Sequence, residues 1–172
     1  GQVQCNKCND GTIASVNGTI VCADCQAGTF MNENRSECAL CDAGTFQSDI
    51  KQVSCQSCSI GSYQPLTGRS ACELCQPGSV QPDTKQIKCL ECNVGTYQSL
   101  FGQAECVVCD EGSIQLLKGQ KSCEECLTGT YYLNPISCKN CEAGSYQDKT
   151  GQKWCLKCPN LQVAPTGAAS CS

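Results

Sequence analysis

The sequence predicts a small disulfide-rich fold, β and irregular: an elongated solenoid-like rod of tandem ~17-residue hairpin repeats with almost no helix. Three observations predict it. Twenty-one of the 172 residues are cysteine, a density that marks a disulfide scaffold. Ten Cys-x-x-Cys pairs recur, beginning at Cys5, Cys22, Cys38, Cys55, Cys72, Cys89, Cys106, Cys123, Cys138 and Cys155. Between them no apolar residues repeat at helical spacing.

The step between pairs is 17 residues in seven of nine intervals, with one step of 16 and one of 15. A fixed short period sets the architecture before any single motif does. The copies share the pattern C-x-x-C-x-x-G-[ST]-[aromatic or aliphatic]-Q-x-x-x-x-G-Q-x-x-C. The first glycine, from Gly11 and Gly28 through Gly129 and Gly144, calls for positive φ or close backbone approach beside the disulfide. After the Thr or Ser comes one apolar side chain: Ile13, Phe30, Phe46, Tyr63, Val80, Tyr97, Ile114, Tyr131 or Tyr146. As the regular bulky position, it is expected to form the core of each unit together with the sulfurs. Gln follows at Gln47, Gln64, Gln81, Gln98, Gln115 and Gln147, and stacked amides are expected to bond from unit to unit as a ladder.

Turn cues stand further along, at Asn17-Gly18, Thr67-Gly68, Phe101-Gly102, Lys118-Gly119 and Thr150-Gly151. They predict a hairpin tip, with the G-T-Y-Q run as one arm and the run into the next cysteine as the other. The residues inside each Cys-x-x-Cys vary freely and are expected to face water. Each unit is expected to touch mainly its neighbours. Residues 1–172 read as a single array of about ten repeats. The opening GQVQC matches GQAEC at 102–106 and GQKSC at 119–123, and the last residues are Cys171-Ser172. The expectation is a window of a longer array that begins and ends within a repeat.

Composition excludes several classes of function. Nine aromatic residues and one Met cannot offset the ordering entropy through one large core, so cross-links must. Net charge is −4 with no basic run, which argues against nucleic acid. No apolar stretch nears the ~18 residues of a membrane span. There is no His, so the commonest general base and the commonest non-thiol zinc ligand are missing. With no phosphate-cradling loop and no paired carboxylates at repeated spacing, we expect no enzyme, no catalytic residues, no cofactor and no metal. Zinc on the Cys-x-x-Cys pairs is the rival, but even spacing lets no pair choose a partner. Asp10, Asp42, Asp110, Glu111 and Glu142 lack the alternating oxygen ligands of a calcium loop and read as solvated charge. Two sequons, Asn17-Gly-Thr19 and Asn34-Arg-Ser36, each stand nine residues after the preceding cysteine. That places Asn17 and Asn34 at turn tips as expected N-glycan acceptors.

Two regular connectivities fit the spacing, and sequence alone does not decide between them. In one, the second cysteine of each pair bonds the first of the next: Cys8–Cys22, Cys25–Cys38, Cys41–Cys55, Cys58–Cys72, Cys75–Cys89, Cys92–Cys106, Cys109–Cys123, Cys126–Cys138, Cys141–Cys155 and Cys158–Cys171, leaving Cys5. In the other, adjacent pairs cross, as in Cys5–Cys22 with Cys8–Cys25, leaving Cys171. The first closes near-identical small loops, each worth about 3 kcal/mol in the chain-entropy account.

The run Cys58-Ser-Ile-Gly61-Ser62-Tyr63…Cys72 resembles the first loop module of TNF-receptor cysteine-rich domains. The tandem array with Cys-x-x-Cys junctions is similar to the ephrin-receptor-like cysteine-rich repeats of animal and protist surface proteins. In the TNF-receptor module the cysteine before x-x-G bonds the next cysteine, so the resemblance implies the first connectivity. TNF receptors alternate this loop with a crossed module that is absent here, and their ligand contacts do not transfer. The last unit, Cys158-Pro159-Asn160-Leu161, lacks the glycine. The expected function is an extracellular structural rod in a cell-surface coat or filament, associating with itself or with like repeats along rows of Gln and aromatic residues. The alternative is a receptor or adhesion ectodomain that binds a protein ligand. That role needs a break in the pattern, and only 126–138 and the final unit supply one.

Overall fold

The structure, a computed structural model, describes residues 8–14, 21–159 and 162–172. Cys5, Asn17 and the Asn17-Gly18 turn cue lie outside them.

Each repeat starts from a turn that its glycine makes. In Gln26-Ala27-Gly28-Thr29 the Thr29 N–H donates to the Gln26 carbonyl at 3.0 Å, and Gly28 has φ 83°. Positive φ at the third residue is what a type II turn requires, and glycine takes it without a Cβ clash. The Thr29 hydroxyl donates to that same Gln26 carbonyl at 2.7 Å. Ser62, Thr96 and Ser145 repeat this hydroxyl bond at 2.7–2.8 Å, which accounts for Thr or Ser after every such glycine.

The turn launches a short antiparallel hairpin, and no helix occurs among the described residues. Thr45 pairs with Ser57 and Phe46 with Gln56. Tyr97 pairs with Val107 and Thr96 with Val108. The second arm is therefore the variable dipeptide inside the next Cys-x-x-Cys, and not the run before it as the sequence suggested. The cause is local: the carbonyl just before the first cysteine is taken by a glutamine side chain. The dipeptides are exposed at Gln56-Ser57, Glu73-Leu74, Val107-Val108 and Glu124-Glu125.

The chain divides into two compact units. The first comprises Gly1–Cys75 and Gln81–Cys89; its strands are Thr12–Ala14 with Cys22–Asp24, Thr29–Met31 with Cys38–Leu40, Thr45–Phe46 with Gln56–Ser57, and Ser62–Tyr63 with Glu73–Leu74. The second comprises Gln76–Val80 and Leu90–Ser172. Its strands are Ser79–Val80 with Leu90–Glu91, Thr96–Tyr97 with Val107–Val108, Ser113–Ile114 with Glu124–Glu125, Thr130–Asn134 with Ser137–Asn140, and Ser145–Tyr146 with Leu156–Lys157.

Within each unit, most successive loops are tied by three backbone hydrogen bonds at fixed positions, while the Cys109–Cys123 loop is tied to the shorter Cys126–Cys138 loop by Gln115 N–H to Pro135 C=O at 2.9 Å. In the first unit Gly44 N–H donates to Gln64 C=O at 2.7 Å, Gln47 N–H to Arg69 C=O at 3.1 Å, and Gly68 N–H to Cys41 C=O at 2.8 Å. In the second the same three run Gly95 to Gln115, Gln98 to Gln120 and Gly119 to Cys92, at 2.7, 3.1 and 2.8 Å. Contact also skips a loop. A methyl group on Gly28 would lie 2.2 Å from the Gly68 carbonyl oxygen, and one on Gly78 would lie 2.1 Å from that of Gly119. The nearest-neighbour picture is thus corrected: each loop is bonded to the next and packed on the one after. Both readings of the glycine, positive φ and close approach, hold at once.

The buried interior also differs from expectation. The second cysteine of each pair from Cys25 to Cys141 is buried, fully so at Cys25, Cys58, Cys92 and Cys141, while Cys8 and Cys158 are half-buried. Beside it lie the glutamines, 2–6% exposed. The apolar position is only half-buried at Phe30, Phe46, Tyr63, Tyr97, Ile114, Tyr131 and Tyr146, and buried at Val80. A repeat of 17 residues is too small to wrap an aromatic ring, so the core is sulfur and amide.

Candidate functional site

The chemistry of this chain lies in how each loop is closed. Ten disulfides join Cys8–Cys22, Cys25–Cys38, Cys41–Cys55, Cys58–Cys72 and Cys75–Cys89, then Cys92–Cys106, Cys109–Cys123, Cys126–Cys138, Cys141–Cys155 and Cys158–Cys171. Each links the second cysteine of one pair to the first of the next, with Cα atoms 5.4–5.8 Å apart. All described cysteines are thereby bridged. Joined through the intervening Cys-x-x-Cys segments, the bridges form one short covalent path from Cys8 to Cys171.

Glutamine supplies the second closure. Gln64 Nε2 donates to the Ala71 carbonyl at 2.8 Å, and its Oε1 accepts the Leu66 N–H at 3.1 Å. Gln98 does the same to Glu105 and Leu100 at 2.7 and 3.0 Å, and Gln147 to Trp154 and Lys149 at 2.7 and 3.1 Å. One amide thus satisfies a donor and an acceptor on opposite sides of the tip, a task that needs both ends of the amide. The expected ladder of amides between units is overturned, because every such amide is buried and bonded inside its own loop. The Gln row is also removed from any outer surface.

Six loops carry this glutamine, and all six span 14 residues. Where the loop is shorter the residue changes. The Cys25–Cys38 loop spans 13 and has buried Met31 in that place; the Cys126–Cys138 loop spans 12 and has half-buried Tyr132. An asparagine at the tip then takes over. Asn32 Oδ1 accepts the N–H groups of Ser36 and Glu37 at 3.0 and 3.4 Å, and Asn134 Oδ1 accepts that of Ile136 at 3.1 Å. In the last loop Ala164 is buried in the glutamine place and accepts the Gly144 N–H at 2.9 Å.

The tip carries a further requirement that the sequence only half displayed. The residue ten beyond the second cysteine has positive φ: 70° at Gly68, Gly102 and Gly119 and 68° at Gly151. Lys51, Lys85 and Arg35 occupy that place at 62°, 59° and 55°. Their lack of glycine hid the position from any turn motif.

The acidic residues sit where solvated charge is expected. Asp10 pairs with Arg35 at 2.6 Å, Glu142 with Lys139 at 3.5 Å, and Glu111 with Lys153, all exposed. Tyr63 donates to Glu73 Oε2 at 3.0 Å. That bond, with slight burial and the carboxylate charge behind it, raises the phenol pKa above its ordinary value. Lys139 is raised above the usual lysine value by the charge of Tyr131 first and then of Glu142. Asn34 is exposed at the tip of its hairpin, and its sequon partner Ser36 accepts a bond from Asn32 Nδ2 at 3.2 Å.

Among the described residues no cluster of three or more His, Cys, Asp or Glu side chains could hold a metal ion. No helix there is long and apolar enough to cross a membrane. A family profile described as tyrosine-protein kinase ephrin type A/B receptor-like matches five overlapping stretches, residues 28–68, 48–84, 78–113, 95–137 and 129–172. No curated protein matches the chain. Extensive disulfides and these repeats together point to an extracellular domain, receptor-like or structural. The matches run without a gap from residue 28 to residue 172, over loops that share one disulfide pattern, and the chain therefore belongs to the ephrin type A/B receptor-like family of cysteine-rich repeats.

Proposed function

We propose that the chain is a non-catalytic, load-bearing segment of a cell-surface or secreted protein, a spacer in an extracellular coat or filament. The observation that carries this reading is the covalent path. Tension applied at Cys41 passes through a disulfide to Cys55, along three residues to Cys58, and through the next disulfide to Cys72. The 13 residues between bridged cysteines in such a loop carry no load. Three backbone bonds at most junctions then hold the unloaded loops in register, each worth about 1 kcal/mol net. Bridges of this number form in oxidising compartments and persist outside the cell. The exposed Asn34 suits an N-glycan, and association with like repeats would use exposed aliphatic side chains such as Leu66, Leu100 and Leu117.

Single-molecule stretching tests the reading. A 17-residue repeat pulled through its bridge reaches roughly 16 Å: a Cα–Cα step of 5.7 Å plus three residues at about 3.5 Å each. Reduced, the same repeat reaches roughly 60 Å. The oxidised chain should therefore extend to about a quarter of its reduced length, with distinct force peaks as loop ties break. Extension without force peaks would leave a passive linker and sink the proposal.

A further inference from the structure

A groove in the second unit serves none of the closures described above. Its apolar lining is Ile114, Leu127 and Cys138, its polar lining includes Glu124, Glu125 and Thr150, and its volume is about 530 Å³. Residues from three successive loops build it, and the middle one is the 12-residue loop Cys126–Cys138, the shortest of the ten. Here the hairpin is also the longest, with Thr130–Asn134 against Ser137–Asn140 and a bulge between Tyr132 and Asn134. The groove thus sits where the repeat departs furthest from its regular spacing and strand length among the described residues.

Its surface joins apolar and anionic side chains. Leu127, 70% exposed, lies beside Ile114 in it, so the apolar part is open to a partner. Glu124 and Glu125 are exposed and make no ion pair among the described residues; Glu125 accepts only the Thr150 hydroxyl. A groove of this size takes one bulky side chain with its flanking backbone. Two unpaired carboxylates in the lining select a positive charge beside it.

We propose that this groove docks an extended segment of a partner protein that presents one large aliphatic or aromatic side chain next to a lysine or arginine. A second copy offering Leu117-Lys118 is the competing occupant, but it would bring its own net charge of −4 against the two carboxylates of this groove, so association with like repeats is expected at exposed aliphatic side chains away from it, such as Leu66 and Leu100. The site is independent of the load-bearing role: a groove that binds nothing leaves that role untouched.

The test is a titration of the oxidised, ¹⁵N-labelled full chain with the capped peptide Gly-Ser-Lys-Leu-Arg-Ser-Gly, and with Gly-Ser-Glu-Leu-Glu-Ser-Gly and Gly-Ser-Lys-Ser-Arg-Ser-Gly as controls. Saturable shifts confined to the amides of Ile114, Leu127, Thr130 and Thr150 are expected for the first peptide only. Affinity should fall at least tenfold in Leu127→Arg and in the double variant Glu124→Gln/Glu125→Gln. Leu133→Arg, at a 55% exposed position outside the groove, should bind like the parent chain. Equal response to the acidic peptide, binding unchanged by Leu127→Arg, or no saturable response overturns the proposal. So do concentration-dependent shifts of the same amides without peptide, accompanied by a dimer in sedimentation, since these assign the groove to a second copy.

Discussion

The loops Cys92–Cys106 and Cys126–Cys138 belong to the same unit and close the same kind of disulfide turn by different means. The longer one has two-residue strands and spends a side-chain amide, Gln98, on both sides of its tip. The shorter one has no such amide. It extends its arms to five and four residues and turns on Asn134. Loop length decides which solution is open. Seven residues after Gln98 comes Glu105, just before the bridging cysteine, where a free carbonyl waits. Seven residues after Tyr132 comes Lys139, already past Cys138 and paired with Tyr131 across the hairpin. A repeat can therefore lose two residues without losing its bridge, and the place where it does so acquires a surface that the regular loops lack.

The strongest way to break the comparison acts on what both loops share, the turn glycine. Gly78→Ala would drive a methyl group to within 2.1 Å of the Gly119 carbonyl oxygen, and backbone must move. We expect a loss of about 3–4 kcal/mol of local stability, read as amide exchange at Gly78 and Cys92 more than 100-fold faster. Gly144→Ala occupies the same consensus place, but no atom lies within 4 Å of the added carbon. It should cost only the φ penalty, about 1 kcal/mol. Equal effects at the two sites would show that packing on the second neighbour contributes nothing.

Removing the amide comes next in size. Gln98→Ala leaves the Glu105 carbonyl and the Leu100 N–H without their partner, for about 2–3 kcal/mol. Exchange at Leu100 should rise by roughly 30- to 100-fold while Tyr132 and its hairpin stay protected. The converse substitution sharpens the point. Tyr132→Gln should gain nothing, because the residue seven on, Lys139, lies past the bridge and is paired across the hairpin with Tyr131. A stabilised Tyr132→Gln chain would refute the dependence on loop length.

What the sequence displayed follows from which physical constraints leave a trace in residue identity. Cysteine spacing and the turn glycines are covalent and steric demands that few residues meet, so the hairpin array with its bridges was legible from Cys41, Gly44, Cys55 and their copies. Gln47 and its copies were visible as a pattern but misread as an outward row. Glutamine is polar, and only the bond to the carbonyl seven residues on reveals that it belongs inside. Lys51 and Lys85 left no trace, because their left-handed φ is imposed by the tie to the preceding loop and not chosen by the residue. The groove at Leu127 was foreshadowed only by the 15-residue step between pairs, which marked where the pattern breaks but not what the break exposes.

Those lysines give a smaller, opposite effect. Lys85→Gly removes a left-handed non-glycine residue, φ 59°, worth about 1 kcal/mol, against the greater chain entropy of glycine, about 0.5 kcal/mol or more. A net gain of up to about 0.5 kcal/mol should slow exchange at the Lys85 N–H, which donates to Cys58 C=O at 2.9 Å. Gly119→Ala should lose about 1 kcal/mol, since its nearest neighbour, a Glu91 side-chain carbon at 3.5 Å, gives room for the methyl. Equivalent behaviour of the lysine and glycine tips would mean that φ at this place is not strained.

The smallest effect separates the two kinds of loop by charge alone. The aromatic position faces the first residue of the dipeptide inside the next Cys-x-x-Cys, and that partner differs: Glu73 opposite Tyr63, Lys139 opposite Tyr131. Against Glu73 the phenol donates a bond that its ionised form cannot make, and ionisation would set two negative charges together. Both effects favour the neutral phenol, so Tyr63 should titrate above an ordinary tyrosine. Glu73→Gln removes the carboxylate charge and should bring the titration down. Against Tyr131 the partner is a cation, and the observable is Lys139, which should hold its proton to higher pH than a free lysine. Tyr131→Phe should bring Lys139 down by removing the phenolate, and Glu142→Gln should bring it down by less. Neither group is buried enough to carry folding stability, so the melting behaviour of all three variants should match the parent chain while the two NMR titrations move. A Tyr63 titration indifferent to Glu73 would show that the cross-strand pair is open in solution, and with it that the two-residue strands are too short to hold their side chains in register.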